Sequence, residues 1–476
     1  MKVLHISAEC YPAAKAGGLG DVAGALPKYL TEAECPAAVI IPKYHTKWIL
    51  QQEWETQYEG SLHLHHEYIA FSIQKLKVDT LGFPLYVADL PGKYDRPSVY
   101  LDANGKGFWD EVERSLAFQQ ATLHWVNQFD KLPEVLHCHD HHTGLVPFMV
   151  KCCPIYNRLS SLPTVFTIHN GEYHGTFGWE KVNLLPLFDG RMGGLIDWNE
   201  AINPLAAAIK CSWRVTTVSP TYMKELRYHS GHLSPLLQQE TGKSSGILNG
   251  IDTEVWNPKT DALIAEHLKR SFKTFKQKNR AALKDKFTIQ DELPLITFIG
   301  RLAGEKGAHL LAPMIAQFLN NGGQATFIVL GTGEPNLHHQ LKQLERDYPE
   351  HVNVALEYNE KLAHQLYAGS DFLVMPSKVE PCGLNQMYAM RYGTIPIARA
   401  VGGLKDTVID FGQPNGRGVQ FTLLEVDDAS YALHRATRLF QDIDQFEQVR
   451  KTITKVDFSW ENSAQQYIDL YDSIIE

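Results

Sequence analysis

The chain has 476 residues, 44% hydrophobic and 21% charged, enough for more than one hydrophobic core. Its net charge of −9 denies it the basic field that nucleic acid or an anionic membrane surface attracts, so neither is expected as a partner. No run approaches the ~18 apolar residues of a membrane-crossing helix, and any bound phosphate must be held by a local cluster of cations.

The N-terminus has neither the length nor the cleavage site of a secretion signal. Seven scattered cysteines, an odd number in a large chain, fit reduced thiols and a cytoplasmic protein. Residues 3–8 form an apolar run that predicts a buried strand. Val22, Ala25, Leu26, Tyr29 and Leu30 then mark one face of a helix. Between them lies Lys15-Ala16-Gly17-Gly18-Leu19-Gly20-Asp21, a glycine-rich turn at a helix N-terminus with a cation beside it. Such a turn suits an anion, most simply phosphate. A tight strand–helix connection would use the same residues.

Further strands are predicted at 36–42, 85–88, 135–140, 164–170 and 214–220, with short alternating runs over 51–80 that read as edge hairpins. Strands alternating with helical stretches indicate a parallel, doubly wound sheet, whose ligands gather beyond the carboxyl ends of the strands. Lys15, Asp140 and His169 all fall there. His137, His139, His141 and His142 have the look of metal ligands. No cysteine or carboxylate spacing completes a tetrahedral set, so no metal is expected.

Turn chemistry at 246–252 places a boundary between domains 1–248 and 249–457. The Lys/Arg-rich stretch 267–286 reads as a solvated helical face. A second strand–loop–helix series follows. A strand at 294–299 leads to a loop with Arg301 and Lys306, and another at 326–330 ends in Gly331. One at 371–376 leads to Glu380, Cys382, Gly383 and Leu384, and one at 395–398 to Gly402 and Gly403. The expected fold is α/β, with two Rossmann-like doubly wound domains facing a central cleft. Ala464, Tyr467, Ile468, Tyr471 and Ile475 give the last segment, 458–476, an apolar stripe that must dock.

Arg301 and Lys306, on a glycine-rich loop after a strand, suit a diphosphate better than a single carboxylate, although surface cations on a connecting loop look the same. Glu380, flanked by Pro381 and Gly383, could accept hydrogen bonds from sugar hydroxyls or could cap a helix.

Taken together, Lys15-Ala-Gly-Gly-Leu-Gly-Asp21, His139-Asp140, Phe166-Thr-Ile-His169-Asn170, Asn249-Gly-Ile-Asp252, Gly300-Arg301…Lys306-Gly307, Pro376…Glu380-Pro-Cys382-Gly383-Leu384 and Gly402-Gly403-Leu-Lys-Asp406 resemble the bacterial glycogen (starch) synthase family. The resemblance runs in order from about residue 2 to the final helix. It implies a retaining glycosyltransferase of the B type, with an active site in the interdomain cleft and the last helix returning to the N-terminal domain. The implied donor is ADP-glucose and the implied acceptor an α-1,4-glucan, with no cofactor. Arg301 and Lys306 would neutralise the leaving diphosphate, and Glu380 would bind glucose hydroxyls. His169 and Asp140 would sit near the reacting sugar. The Gly17-Gly18 and Gly402-Gly403 amides would hold the phosphate and the sugar face, and Tyr358 would stack on adenine. Lys15, Asp21, Asn249, Cys382, Gly383 and Leu384 complete the implied binding set.

The match has departures. Tyr388 stands where many related retaining enzymes carry a second Glu, Asn385 where Thr is common, His141 where Trp is common, and Glu305 sits beside Lys306. A non-catalytic glucan-binding relative, and a glucosyltransferase using UDP-glucose or a small acceptor, remain open on these residues.

Overall fold

The computed structural model of the chain describes residues 1–475. They fall into two compact units: residues 1–218 and 223–248 with the segment from Trp460 onward, and residues 219–222 with 249–459.

The first unit is built on a nine-stranded sheet. In chain order its strands are β1 (Val3–Ile6), β2 (Ala37–Pro42), β3 (Trp54–Leu64), β4 (Glu67–Leu76), β5 (Leu85–Asp89), β6 (Val135–His139) and β7 (Thr164–Ile168). A separate two-stranded ribbon, β8 (Asp197–Trp198) and β9 (Ala201–Ile202), precedes the last two strands of the sheet, β10 (Arg214–Thr217) and β11 (Ser244–Gly246). The spatial order is β11-β10-β7-β6-β1-β2-β5-β4-β3. Every pairing from β11 to β5 is parallel, and the pairings of β4 with β5 and with β3 are antiparallel, so that β4 alone is reversed in this sheet. The central strands are buried at every position, as their unbroken apolar runs require of a sheet covered on both faces. The predicted edge hairpin is β3–β4, whose alternating burial marks a single covered face.

The first helix, Gly18–Glu32, buries Val22, Leu26, Tyr29 and Leu30. These pack against Trp460, Ala464, Tyr467, Tyr471 and Ile474 of the last helix, Trp460–Ile475. Ile474 closes that apolar stripe, whereas Ile475 is 37% exposed.

In the second unit, β12 (Leu295–Ile299), β13 (Thr326–Leu330), β14 (Val352–Ala355), β15 (Phe372–Met375), β16 (Ile395–Arg399) and β17 (Val419–Phe421) form an all-parallel sheet ordered β14-β13-β12-β15-β16-β17. Both units therefore have the doubly wound α/β character expected. The short strands β11, β14 and β17 were not expected, because three or four residues carry too little periodicity to read.

One expectation needs correcting. The basic stretch 267–286 is not simply a solvated face, since Lys276 and Arg280 of the helix Phe272–Leu283 are buried. Lys276 Nζ donates to the carbonyls of Tyr367 and Ser370, each at 2.8 Å, and to Thr394 Oγ1. Arg280 pairs with Asp371 at 2.9 Å. Position in sequence cannot distinguish such internal clamps from surface cations. The neighbours Lys269, Lys273 and Lys278 are exposed. All seven cysteines are free thiols.

Candidate active-site residues

The glycine-rich turn leaves β1 through Ser7, Ala8 and Glu9. Glu9 is only 2% exposed, and its carboxylate organises the turn. Oε2 accepts the main-chain N–H groups of Ala16 (2.6 Å) and Gly17 (2.9 Å), while Oε1 accepts the Tyr100 hydroxyl (2.6 Å). Lys15 Nζ reaches back 2.6 Å to Asp21 in the first turn of the following helix. The Gly17 amide, expected to hold phosphate, is bonded to Glu9 in this structure. Gly18 opens the helix. A Cβ at Gly17 or Gly18 would meet nothing closer than 3.9 Å, so neither packing nor backbone angle within the chain demands glycine there.

At the carboxyl end of β6, Asp140 adopts φ 55°, a region that non-glycine residues seldom enter and that is enriched at functional sites. Its Oδ1 accepts the main-chain N–H of His169 at 2.7 Å. Burial raises the Asp140 carboxyl to about 7, against the opposing pull of the His169 and Asn170 amides and of His141. His169 leads inward to a chain of imidazoles. Its Nε2 lies 3.0 Å from His139 Nδ1, and His139 Nε2 lies 3.0 Å from His5 Nδ1. Burial lowers both His5 and His169 to about 3, so these rings are neutral at physiological pH. His137 is held by the Tyr471 hydroxyl (2.7 Å) and Thr167 Oγ1 (2.6 Å). The four histidines that looked like one cluster are therefore split. His137 and His139 face the core, and His141 and His142 lie on the turn beyond Asp140.

In the second unit, three loops meet at the carboxyl ends of β12, β15 and β16. Lys306 Nζ donates to both carboxylate oxygens of Glu380 at 2.8 Å, and the Ser377 hydroxyl adds a bond of 3.0 Å. The Glu380 side chain is 7% exposed and that of Lys306 30%. Arg301, with a side chain 70% exposed, pairs with Glu305. Gly307 has φ 66°, and a Cβ there would come within 1.8 Å of the Pro376 carbonyl oxygen. That close approach presses the Lys306 turn onto the end of β15. Gly402 is similar, since a Cβ would lie 2.0 Å from the Glu380 carbonyl oxygen. The Gly403 N–H donates to the carbonyls of Glu380 (3.1 Å) and Pro381 (3.2 Å). The Gly403 amide, expected to face the sugar, braces the Glu380 loop in this structure.

Cys382 is buried beneath this loop, where burial pushes its thiol up to about 12 against the opposing N–H of Asn249. The Asn249 side-chain oxygen is itself buried and has no hydrogen-bond donor among the described residues. Gly383 has φ 75°, and Leu384 leads into the helix Asn385–Arg391. Tyr358 stands out from the loop after β14, 86% exposed. Within the second unit Lys306, Glu380, Cys382, Gly383, Gly402 and Gly403 thus come together, with Arg301 at their margin. In the first unit Lys15, Gly17, Gly18 and Asp21 form one group, and Asp140 with His169 another.

Sequence reading missed Glu9, Tyr100 and Ser377. A lone acid at the carboxyl end of a strand was the available signal for Glu9. Nothing local connects it to Tyr100, 91 residues away.

Comparison with known proteins covers nearly the whole chain. Residues 2–239 match the starch synthase catalytic domain, and residues 279–436 match glycosyl transferases group 1. The glycogen synthase of Flavobacterium johnsoniae is 45% identical, with all of both chains covered. That of Streptococcus sanguinis is 35% identical, again over both full lengths. The catalytic domain of starch synthase IV from Arabidopsis thaliana, bound to ADP and acarbose, superposes with a TM-score of 0.86 at 32% identity, covering 99% of each chain. A sucrose-phosphate synthase from Thermosynechococcus elongatus, 17% identical with a TM-score of 0.61, shares the fold. With both sheets doubly wound and the likeness running through both units, the chain belongs to the glycogen synthase (starch synthase) family of glycosyltransferases.

Proposed function

We propose that the chain transfers glucose from ADP-glucose to the non-reducing end of an α-1,4-glucan, with retention of configuration. The observation that carries this reading is the Lys306–Glu380 pair beside Arg301, on loops that glycines hold close together. Likeness to a starch synthase bound to ADP and acarbose supports the donor and the acceptor class. We take residues 1–248 as the acceptor domain, 249–457 as the donor domain and 458–476 as a terminal segment whose helix, Trp460–Ile475, belongs with the first.

The chemistry follows from charge. As the C1–O bond to the diphosphate breaks, negative charge grows on the departing phosphate and positive charge on C1. Lys306 and Arg301 are cations suited to the first, and a cation held in place beforehand, as Lys306 is by Glu380, lowers the barrier because it need not be gathered during the reaction. Glu380 already accepts from Lys306 and Ser377, which suits it to accept from glucose hydroxyls rather than to attack C1. Double displacement through a carboxylate nucleophile is therefore disfavoured. The acceptor 4-hydroxyl attacks from the face that the phosphate leaves, its proton passes to the departing phosphate oxygen, and ADP is released. Asp140 and His169 position the sugar and acceptor, Asn249 offers its unpaired oxygen to the ligand, and Tyr358 supplies an exposed ring for adenine.

The test is labelled ADP-glucose with glycogen, followed by digestion with β-amylase. The reading expects the label to be released as maltose. Label resistant to digestion, or transferred to a small sugar instead, would contradict it. Mass spectrometric capture of a covalent glucosyl-enzyme would overturn the front-face route.

A further inference from the structure

The turn beyond Asp140 carries a group of side chains that the proposed reaction does not use. His141 Nε2 and His142 Nε2 lie 4.0 and 3.9 Å from one atom, Oε1 of Glu111. All three donor atoms fall within 4.8 Å of one another. These separations are too long for hydrogen bonds. Nδ1 of each ring is also buried without a partner among the described residues. With the proton on Nε2, each buried Nδ1 lone pair lacks a donor. With the proton on Nδ1, each buried N–H lacks an acceptor, and the Nε2 lone pairs face a carboxylate. Neither tautomer satisfies the group.

We propose that Glu111, His141 and His142 form a binding site for a divalent transition-metal ion of the zinc type. Two imidazoles and a carboxylate are a donor set that zinc accepts, with its fourth position left for water. That position opens into a cavity of about 310 Å³ bounded also by Glu172 and His174. Metal–ligand bonds of ~2.0–2.2 Å in a tetrahedron bring donor atoms to about 3.4 Å of one another, so the two separations from Glu111 to the imidazoles must each shorten by roughly half an ångström. Glu111 supplies that movement, being half exposed in the first turn of the helix Glu111–Val126. The two rings are held in place. His142 stacks on Tyr100 with centroids 4.7 Å apart, and His141 lies over Gly175, where a Cβ would come within 2.5 Å of the imidazole.

The other histidine group, His5, His137 and His139, does not compete. Both nitrogens of His137 and of His139 are already bonded. An ion at Glu111 would instead tie that helix to the turn carrying Asp140.

The experiment titrates the full chain, stripped with chelator, first with Co²⁺ and then with Zn²⁺. The proposal expects one Co²⁺ per chain, visible absorption bands of four-coordinate intensity, and their loss on adding Zn²⁺. Glu111→Gln, which alters a half-exposed side chain, and His141→Asn should each weaken Co²⁺ binding at least tenfold. His65→Asn/His66→Asn, on the edge hairpin, should leave it unchanged. Absence of Co²⁺ binding, or affinity retained in both site variants, would overturn the proposal, as would loss of binding in the hairpin variant.

Discussion

Replacing Glu9 tests whether the glycine-rich turn is organised from within. The carboxylate is almost fully buried and accepts three hydrogen bonds, two from main-chain N–H groups and one from Tyr100. Bonds to a charged acceptor contribute about 1.5–3 kcal/mol each, but the amides of Ala16 and Gly17 lie on an exposed stretch where water can replace the carboxylate. A net loss of about 3 kcal/mol is therefore expected for Glu9→Ala. Glu9→Gln keeps one oxygen for both amides and loses the charge and the acceptor of the Tyr100 hydroxyl, whose oxygen can accept from the new amide instead, so it should cost about half as much. Hydrogen exchange of the segment containing Ala16 and Gly17 reads this locally. At about 1.4 kcal/mol per tenfold, Glu9→Ala should speed exchange there roughly a hundredfold and Glu9→Gln about tenfold. Glucan synthesis should fall in the same order. Unchanged exchange in Glu9→Ala, or equal effects of the two variants, would refute the reasoning.

Tyr358→Ala removes a ring that is 86% exposed, so it should raise KM for ADP-glucose several-fold while leaving kcat and thermal stability nearly unchanged. A fall in kcat with KM preserved would contradict the stacking role. Lys276→Met removes the donor that the carbonyls of Tyr367 and Ser370 share, leaving the Thr394 hydroxyl to serve one of them at a time, and should destabilise the second unit by about 1–3 kcal/mol, read as a lower unfolding midpoint in urea. An unchanged midpoint would mean that these hydrogen bonds are dispensable. The pH dependence has a definite sign. His5 and His169, lowered to about 3 in the fold, stay neutral while the unfolded chain protonates them below the ordinary value of 6.5. Their contribution is present above 6.5 and is lost as pH falls, at up to about 1.4 kcal/mol per pH unit for each ring. Asp140, raised to about 7, acts oppositely, because the folded state holds its proton between 3.8 and that value. Asp140→Asn should therefore steepen the acid loss in a series of urea midpoints, whereas a shallower loss would exclude this balance.

Much of this was legible because long apolar strands and glycine-bearing loops announce themselves locally. The runs that became β2, β7 and β13 could hardly be anything but buried strands, and the ends of the strands located Asp140, His169, Lys306 and Glu380. What stayed hidden depends on partners distant in sequence. Glycines 17, 18, 402 and 403 look alike as pairs, yet only the second pair is forced by a neighbouring backbone, that of residues 380–382. Lys276 and Lys273 read identically until the carbonyls around Lys276 are in place. Glu111 lies 30 residues before His141, so no local spacing could have joined the two.

The most direct test of the central claim is glucose incorporation into glycogen from ADP-glucose and from UDP-glucose in parallel, for the unaltered chain and for Lys306→Ala and Arg301→Ala. Removing one preorganised cation should lower kcat by about a hundred- to a thousandfold. Arg301 is mostly exposed, so its loss should leave the fold intact even if Glu380 suffers when Lys306 is gone. The account predicts strong incorporation from ADP-glucose that nearly vanishes in both variants. Incorporation that survives both substitutions, or none from either donor by a folded chain that still binds glycogen, would contradict it.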